Sequence, residues 1–360
     1  MNANNLKSLR VPRGNQLKTA VDKKTGNFAT GWYIAMSSKA LQKKPKQIQL
    51  FGQQLIAWRD RNGCPSVMEL YCSHMGASLA IGKVVDDCIR CSYHGWNYNR
   101  FGECVLVPES DTIPPTAFQS AYTTVERYGY IWVWYGCPTT LYPLPEFSEA
   151  ESNRHNYMLY RKDYHVTTTA LRVQENLFDV LHFFSTHNLK VSGSFKYYLL
   201  NEDQYLTSDS QPPIPKEAWI GLCSEFQIDV NNDLGKVGSA FKALGLYPQN
   251  IKVRIDSWSS GAKMTVFHDG LDRCAVLVGF TPITANETQI WMLTTIKKKT
   301  NVLRNILEFL FYVLQTEYTM GQDIEVLNTM NPDGGRAYIN YDQPPLKMRE
   351  FYQSWVGKVS

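Results

Sequence analysis

The chain has 360 residues, which suits two domains of ordinary size and is too long for a single small electron carrier. Its formal charge is +4 and no basic stripe interleaves with aromatics, so nucleic acid is not implied as a partner. Aromatic residues make up 13% of the chain, enough to line an apolar cavity as well as fill a core.

Residues 1–28 form a basic-rich stretch, Lys7 to Lys24 above all, with no apolar h-region, and read as a flexible arm rather than a secretory signal. Residues 30–136 are strand-rich. Gln47 to Phe51, Gln54 to Trp58 and Val67 to Tyr71 are short β-type runs, Asp60-Arg-Asn-Gly63 is a hairpin turn, and Tyr128 to Tyr135 closes the set. Three prolines between Gly136 and Pro145 predict a linker over about 136–146, which separates a first unit, 29–137, from a second, 138–360. The second unit mixes helix, about Ala170 to Phe184 and Asn301 to Leu327, with strands at Lys252 to Trp258, Lys263 to Phe267, Ala275 to Phe280 and Gln289 to Ile296. The class is therefore α+β. The most apolar run, Val302 to Val313, is shorter than a membrane span and carries Arg304 and Glu308. Its Leu303, Ile306, Leu307, Leu310, Phe311 and Leu314 recur at helical spacing, which predicts an amphipathic helix.

Cys72-Ser-His74 and Cys91-Ser-Tyr-His94 lie sixteen residues apart and offer ligands in the order Cys, His, Cys, His. That order points to a [2Fe-2S] cluster of the Rieske kind, in which one iron keeps two Cys and the other takes two His. A zinc site from the same four residues is the alternative. Mixed zinc sites more often pair C-x2-4-C with H-x3-5-H, and neither pairing occurs here. Eight cysteines in so long a chain, two of them spent on a cluster, make no disulfide framework and suggest a reducing cytoplasm. Cys64, Cys88, Cys104, Cys137, Cys223 and Cys274 read as packed thiols, and His155, His165 and His268 as structural; His268 ends a strand, and a substrate contact there is the alternative, not favoured.

The run Cys72-Ser-His-Met-Gly-Ala-Ser-Leu-Ala-Ile-Gly82 followed by Cys91-Ser-Tyr-His-Gly-Trp-Asn-Tyr98 resembles the Rieske domain of Rieske non-haem iron oxygenases. The family usually has Arg after the first His and Pro after the second Cys, where this chain has Met75 and Ser92. Ser92 should place a hydroxyl near sulfur, and the lost Arg should alter docking of an electron donor. A second stretch, Asn176-x-x-Asp179-x-x-His182-x4-His187, is similar to the family's mononuclear iron motif. His182 and His187 are five apart, so the helix must loosen or end near Phe184 for both to reach one metal. The resemblance implies a carboxylate from a late helix, and Met320-Gly-Gln-Asp-Ile-Glu325 offers Asp323 and Glu325; Asp323 is preferred, with Glu325 read as a solvated charge.

The resemblance also implies roles and partners. Asp179 would accept the second ring N–H of His182 and bridge to the cluster histidine of a neighbouring subunit, with Asn176 as support and a homotrimer as the assembly. The fold would be an all-β Rieske domain followed by a helix-grip (START-like) catalytic domain with an antiparallel sheet. Mononuclear Fe(II) would activate O2, and electrons would come from NAD(P)H through a separate reductase, with or without a ferredoxin, since the chain has no GxGxxG after a strand. The late motifs look most like the 3-ketosteroid 9α-hydroxylase branch, which implies hydroxylation of a hydrophobic, polycyclic or natural-product-like molecule. Monooxygenation is favoured; dealkylation, desaturation and cis-dihydroxylation share the same site. Phe178, Phe183, Phe184, Tyr197, Tyr198, Trp219, Phe226, Trp258 and Phe267 are candidate pocket aromatics, most of them core. A protein of another class, a non-catalytic Rieske electron carrier or redox sensor, would lack the second metal.

Overall fold

The computed structural model describes residues 28–193, 195–206, 214–229 and 248–358, with a few positions between 239 and 245. The arm expected over residues 1–28 lies outside them apart from Phe28, which is buried against Phe51 and Tyr135.

The first part is all β. In chain order its strands are β1 (Gly31–Ser37), β2 (Lys46–Leu50), β3 (Gln53–Arg59), β4 (Pro65–Glu69), β5 (Lys83–Val85) and β6 (Cys88–Arg90). They continue as β7 (Asn97–Asn99), β8 (Cys104–Leu106), β9 (Ala121–Tyr122), β10 (Thr124–Arg127) and β11 (Tyr130–Tyr135). Three sheets result, ordered β1-β11-β10, β2-β3-β4-β9 and β5-β6-β7-β8. The predicted turn at Asp60 joins β3 to β4, where the Asp60 carboxylate accepts from Cys64 N (2.8 Å) and so closes the loop on itself. β11 reads as an unbroken apolar run because it is buried on both faces. Ile131, Val133 and Tyr135 join the core around Phe51 and Leu55, while Tyr130, Trp132 and Trp134 join the main core.

The stretch expected as a linker is irregular in backbone yet firmly packed. Tyr142, Leu144 and Phe147 are buried, Trp32 Nε1 donates to the Tyr142 carbonyl (3.0 Å), and Phe147 N donates to the Tyr128 hydroxyl (2.9 Å). It is a strap, not a tether, because its apolar residues bury more favourably than they would hang in water.

The second part holds β12 (Tyr157–Val166), α1 (Ala170–Phe178), α2 (His182–Ser185), β13 (Lys196–Leu199), α3 (Glu202–Leu206), β14 (Ile220–Gln227) and β15 (Asn250–Trp258). After these come β16 (Gly261–His268), β17 (Leu271–Thr284), β18 (Glu287–Lys297), α4 (Val302–Leu327) and α5 (Gln343–Trp355). The seven strands form one antiparallel sheet, ordered β12-β18-β17-β16-β15-β14-β13. Helix α4 lies along it, with Tyr312, Met320, Ile324 and Leu327 packed on Cys274, Val276 and Val278. Of the predicted apolar stripe of α4, Leu307 and Phe311 face inward. Leu303, Ile306, Leu310 and Leu314 are exposed, since the 3–4 spaced row they form lies beside the packing face and not on it.

The two parts are sewn together along β1. One edge of β1 pairs with β11. On the other, Ser259, Ser260 and Thr281 donate hydroxyl hydrogen bonds to the carbonyls of Thr30 (2.6 Å), Trp32 (2.5 Å) and Ile34 (2.8 Å). Alternate carbonyls of a strand point the same way, so every second residue meets one hydroxyl.

Candidate metal centres

The two Rieske-type loops are built alike. Each opens with a Cys whose N–H bonds to the carbonyl five residues on, Cys72 to Ala77 and Cys91 to Trp96, both at 2.9 Å. Each closes with a Gly whose N–H returns to the Cys carbonyl, Gly76 (2.9 Å) and Gly95 (3.0 Å). Both glycines sit at positive φ, 71° and 74°, where a side chain would be strained. The five-residue turn thus accepts Cys-x-His in one loop and Cys-x-x-His in the other.

Within this frame the four side chains separate by environment. Cys72 and Cys91 are buried and unoxidised, and their thiols face each other; His74 and His94 are exposed, ring centroids 4.7 Å apart. Trp96 stacks on His74 at 4.3 Å and 5°. Burial pushes the Cys91 thiol up, while the backbone N–H groups of Tyr93 and His94 point at its sulfur and pull it down. Cys72 Sγ lies 3.1 Å from the Tyr98 hydroxyl, which also meets Ser73 Oγ at 2.9 Å. Burial and the neighbouring Cys72 push the Tyr98 phenol up, so it stays protonated and can donate to sulfur. Two inner thiolates supplied with N–H and O–H donors, beside two imidazoles at the surface, fit a [2Fe-2S] cluster with one Cys-bound and one His-bound iron. The Ser92 hydroxyl donates to the Ile81 carbonyl (2.7 Å) and so braces the two loops against each other. Met75 is 64% exposed.

The second constellation depends on a broken helix. The helix expected over Ala170 to Phe184 ends at Phe178. Asp179 turns extended (φ −79°, ψ 110°), and its carboxylate accepts from Leu181 N at 2.9 Å, competing with the helical ladder. Helix α2 then starts afresh at His182 and ends at Ser185, so His187 lies beyond it and the two histidines five apart are not splayed on one regular helix. The helix end expected near Phe184 is thus present, one residue later, and the break at Asp179 sets the direction in which His182 enters the site. Helix α1 is itself held firmly, with the buried Glu175 carboxylate paired to Arg172 and to Arg349 Nε (2.5 Å) on α5. The far end of α4 is tied in by Asn328 Oδ1, which accepts from Thr167 N at 2.8 Å.

Each histidine ring has its Nδ1 occupied. His182 Nδ1 donates to the backbone carbonyl of Asp179 (2.6 Å), and His187 Nδ1 to the side-chain oxygen of Gln322 (2.9 Å). The expected contact of the Asp179 carboxylate with His182 is thus replaced by a contact to the Asp179 carbonyl, while Oδ1 of the carboxylate accepts from Leu181 N. Asn176 offers its own carbonyl to Asp179 N (3.2 Å), and its side chain makes no hydrogen bond among the described residues. Gln322 was not singled out from the sequence as an orienting group. Its place one residue before Asp323 was the available signal.

With Nδ1 protonated, both Nε2 lone pairs are free, and both point at one atom. Asp323 Oδ1 is 3.5 Å from His182 Nε2 and 3.3 Å from His187 Nε2, and one donor atom from each of the three lies within 4.8 Å of the others. That oxygen is buried and accepts no hydrogen bond. A buried carboxylate oxygen facing two lone pairs is costly unless a cation lies between them, so this donor set fits a metal ion. Burial lowers His182, favouring the neutral form that ligates; at His187 burial is outweighed by Asp323 and Gln322, and the ring is raised. Glu325 is exposed and takes no part. Among the pocket aromatics, Phe178 and Trp258 are sealed core, whereas Phe183 stands beside both histidines (4.6 and 5.9 Å) and touches Phe226 (6.4 Å).

An all-β part with paired Cys/His loops, joined to a large antiparallel sheet crossed by a ligand-bearing helix, is the organisation of a Rieske-type oxygenase. The Rieske [2Fe-2S] domain family matches residues 31–120. Aminopyrrolnitrin oxygenase PrnD of Pseudomonas fluorescens is 37% identical over 343 residues, covering 93% of each chain. A 3-ketosteroid-9-alpha-monooxygenase oxygenase component of Rhodococcus rhodochrous is 25% identical over 92% of this chain and 82% of its own. The predicted likeness to that branch is present, and the likeness to aminopyrrolnitrin oxygenase is greater. Dicamba monooxygenase bound to dicamba aligns with a TM-score of 0.70 over 92% of this chain and 98% of its own, at 16% identity, a likeness of fold. The chain belongs to the Rieske oxygenases. It is the terminal oxygenase component of a multicomponent system and carries a Rieske [2Fe-2S] domain. Among the described residues no helix is long and apolar enough to cross a membrane.

Proposed function

We propose that His182, His187 and Asp323 hold a mononuclear non-haem Fe(II), and that the enzyme uses it to oxidise a hydrophobic, ring-bearing small molecule, monooxygenation being favoured. The orphaned Asp323 oxygen between two unprotonated imidazole nitrogens carries this reading. Iron so bound would supply O2 activation at coordination positions that three protein ligands leave open. The chain's own residues do the rest. The Asp179 carbonyl and Gln322 fix the histidine tautomers, Asn328 ties the end of the Asp323 helix to Thr167, Glu175 ties α1 to α5, and Phe183 and Phe226 wall the site against water.

The exposed His74 and His94 would hold the outer iron of the cluster and form the edge through which it would supply electrons to the second site. We take Asp179 as the bridge to the cluster of a neighbouring subunit in a homotrimer: Oδ1 is committed to Leu181, and Oδ2 makes no hydrogen bond among the described residues. A reductase, with or without a ferredoxin, supplies the cluster, and the assembly works in the cytoplasm. The relatives and fold neighbours are named for ring compounds, aminopyrrolnitrin, 3-ketosteroids, cholesterol, dicamba and caffeine, which supports a compact apolar substrate. A cluster-only carrier is disfavoured by the convergence of the three ligands. Metal analysis of reconstituted protein tests the choice: about three irons per chain are expected, falling by one in His182→Ala, whereas a carrier holds two in both.

A further inference from the structure

Across three strands of the large sheet, Phe226, Ile251 and His268 are direct partners in register and so share one face. Phe226 touches Phe183 beside His182, so this row leads from the proposed iron site across the sheet to His268. The same face of β16 presents Met264 and Val266, both apolar, and His268 is the polar residue that ends the row. There it lines a cavity of about 110 Å³ under α4, together with Arg273, Glu308, Phe311 and Tyr312.

His268 is not a satisfied core histidine. The Tyr312 hydroxyl meets its Nδ1 at 3.0 Å. Burial pushes the Tyr312 phenol up, so its O–H is kept and donates, which leaves the proton of the neutral imidazole on Nε2. Nε2 has no partner among the described residues. Arg273 is the extra residue of a β-bulge, between Asp272 opposite Phe267 and Cys274 opposite Val266. The bulge turns its guanidinium into the same cavity, where it makes no hydrogen bond or ion pair among the described residues. Lys299 and Arg304, by contrast, are both paired with Glu308. Two free donors therefore converge at the end of an apolar row.

We propose that His268, oriented by Tyr312 and joined by Arg273, is a second recognition point for substrate, gripping a hydrogen-bond-accepting oxygen at the end of the molecule remote from the atom that is oxidised. This rests on the oxygenase reading of the His182, His187 and Asp323 site. It narrows the substrate class to hydrophobic ring compounds that carry a carbonyl, carboxylate or similar acceptor.

The test is equilibrium binding to the reconstituted holoenzyme, by calorimetry, of a ketone and its parent hydrocarbon, 9-fluorenone and fluorene. The ketone should bind roughly tenfold more tightly, because fluorene would leave a buried donor unpaired. His268→Leu should erase that preference. His268→Gln, which keeps an N–H donor, should retain part of it. Tyr312→Phe, which frees the tautomer, should lose part, so the question is still decided if the Leu variant does not fold. An unchanged preference in His268→Leu or Tyr312→Phe, or equal binding of both compounds to the wild-type enzyme, overturns the anchor and leaves the oxygenase reading standing. Failure of both compounds to bind at all removes the hydrophobic-substrate reading, and the anchor with it.

Discussion

The cluster loops and the triad solve the same problem by opposite means. In the loops every ligand lies within 23 residues, from Cys72 to His94, and one repeated turn with a left-handed glycine sets them up. In the triad, His182 and Asp323 are 141 residues apart, and their meeting depends on a helix break, a cap from Asn328 and the packing of α4 on the sheet. A local site is fixed by turn chemistry; a distributed one is only as good as the tertiary structure that assembles it. Substitutions should therefore act differently in the two places.

The largest contrast should come from the ligands themselves. Cys72→Ser should remove the cluster's visible absorption and loosen its loops, since metal-binding energy is part of their folding energy. His182→Ala should leave the cluster spectrum intact while abolishing turnover and the third iron. Loss of the cluster spectrum in His182→Ala would break the separation drawn here. Next, Asp323→Ala should empty the second site, whereas Glu325→Ala should keep full iron content and turnover; the reverse pattern would move the ligand to Glu325.

Acid should act on the far end of the large sheet, where His268 is half-buried and desolvation pushes it down to about 4 from an ordinary value near 6.5. Its contribution to stability is complete above pH 6.5. Below that the unfolded chain takes up the proton first, and stability is lost progressively until about pH 4, by roughly 3 kcal/mol in all. Chemical denaturation from pH 7 to 4 should show a steeper loss in the wild type than in His268→Gln; equal slopes would mean the imidazole is not desolvated in solution.

A smaller effect is expected at Asp179→Asn. The carbonyl contact to His182 is unaffected, and both metal centres should persist, while single-turnover product formation should fall by ~10-fold if the side chain carries electrons between subunits. Unchanged single turnover would leave Asp179 as a cap of Leu181 alone. Smallest of all should be Tyr98→Phe, which deletes one donor to Cys72 and should lower the cluster's reduction potential by roughly 40 mV, the equivalent of about 1 kcal/mol in a one-electron couple. A potential that does not move would place the phenol proton on Ser73 instead.

Much of this was legible in the sequence because the informative features were local. Ligand spacing, the Asp60 turn and four of the seven strands of the large sheet, β15 to β18, follow from neighbours along the chain, whereas β12, β13 and β14 are not among the predicted strands. What was not legible depended on competition between neighbours and tertiary contacts. Asp179 could have continued a helix, but its carboxylate offers Leu181 N a nearer partner, and periodicity cannot weigh that. The prolines at 138, 143 and 145 signal irregular backbone correctly, yet give no hint that Tyr142 and Phe147 are buried. The apolar row of α4 has helical spacing, and spacing alone does not say which side meets the sheet. His268 looked structural because its tyrosine partner is 44 residues away.

The hydroxyl seam along β1 has one further consequence. Ser259, Ser260 and Thr281 occupy the acceptors that would otherwise make β1 an open sheet edge. Cut away at the strap, the cluster-bearing part would expose three bare carbonyls on a strand flanked by Trp32 and Ile34, a template for adhesion to other chains. The electron-carrying part is thus no portable cassette. Grafting it onto another scaffold requires three hydroxyls, at the same two-residue rhythm, on the surface that receives it.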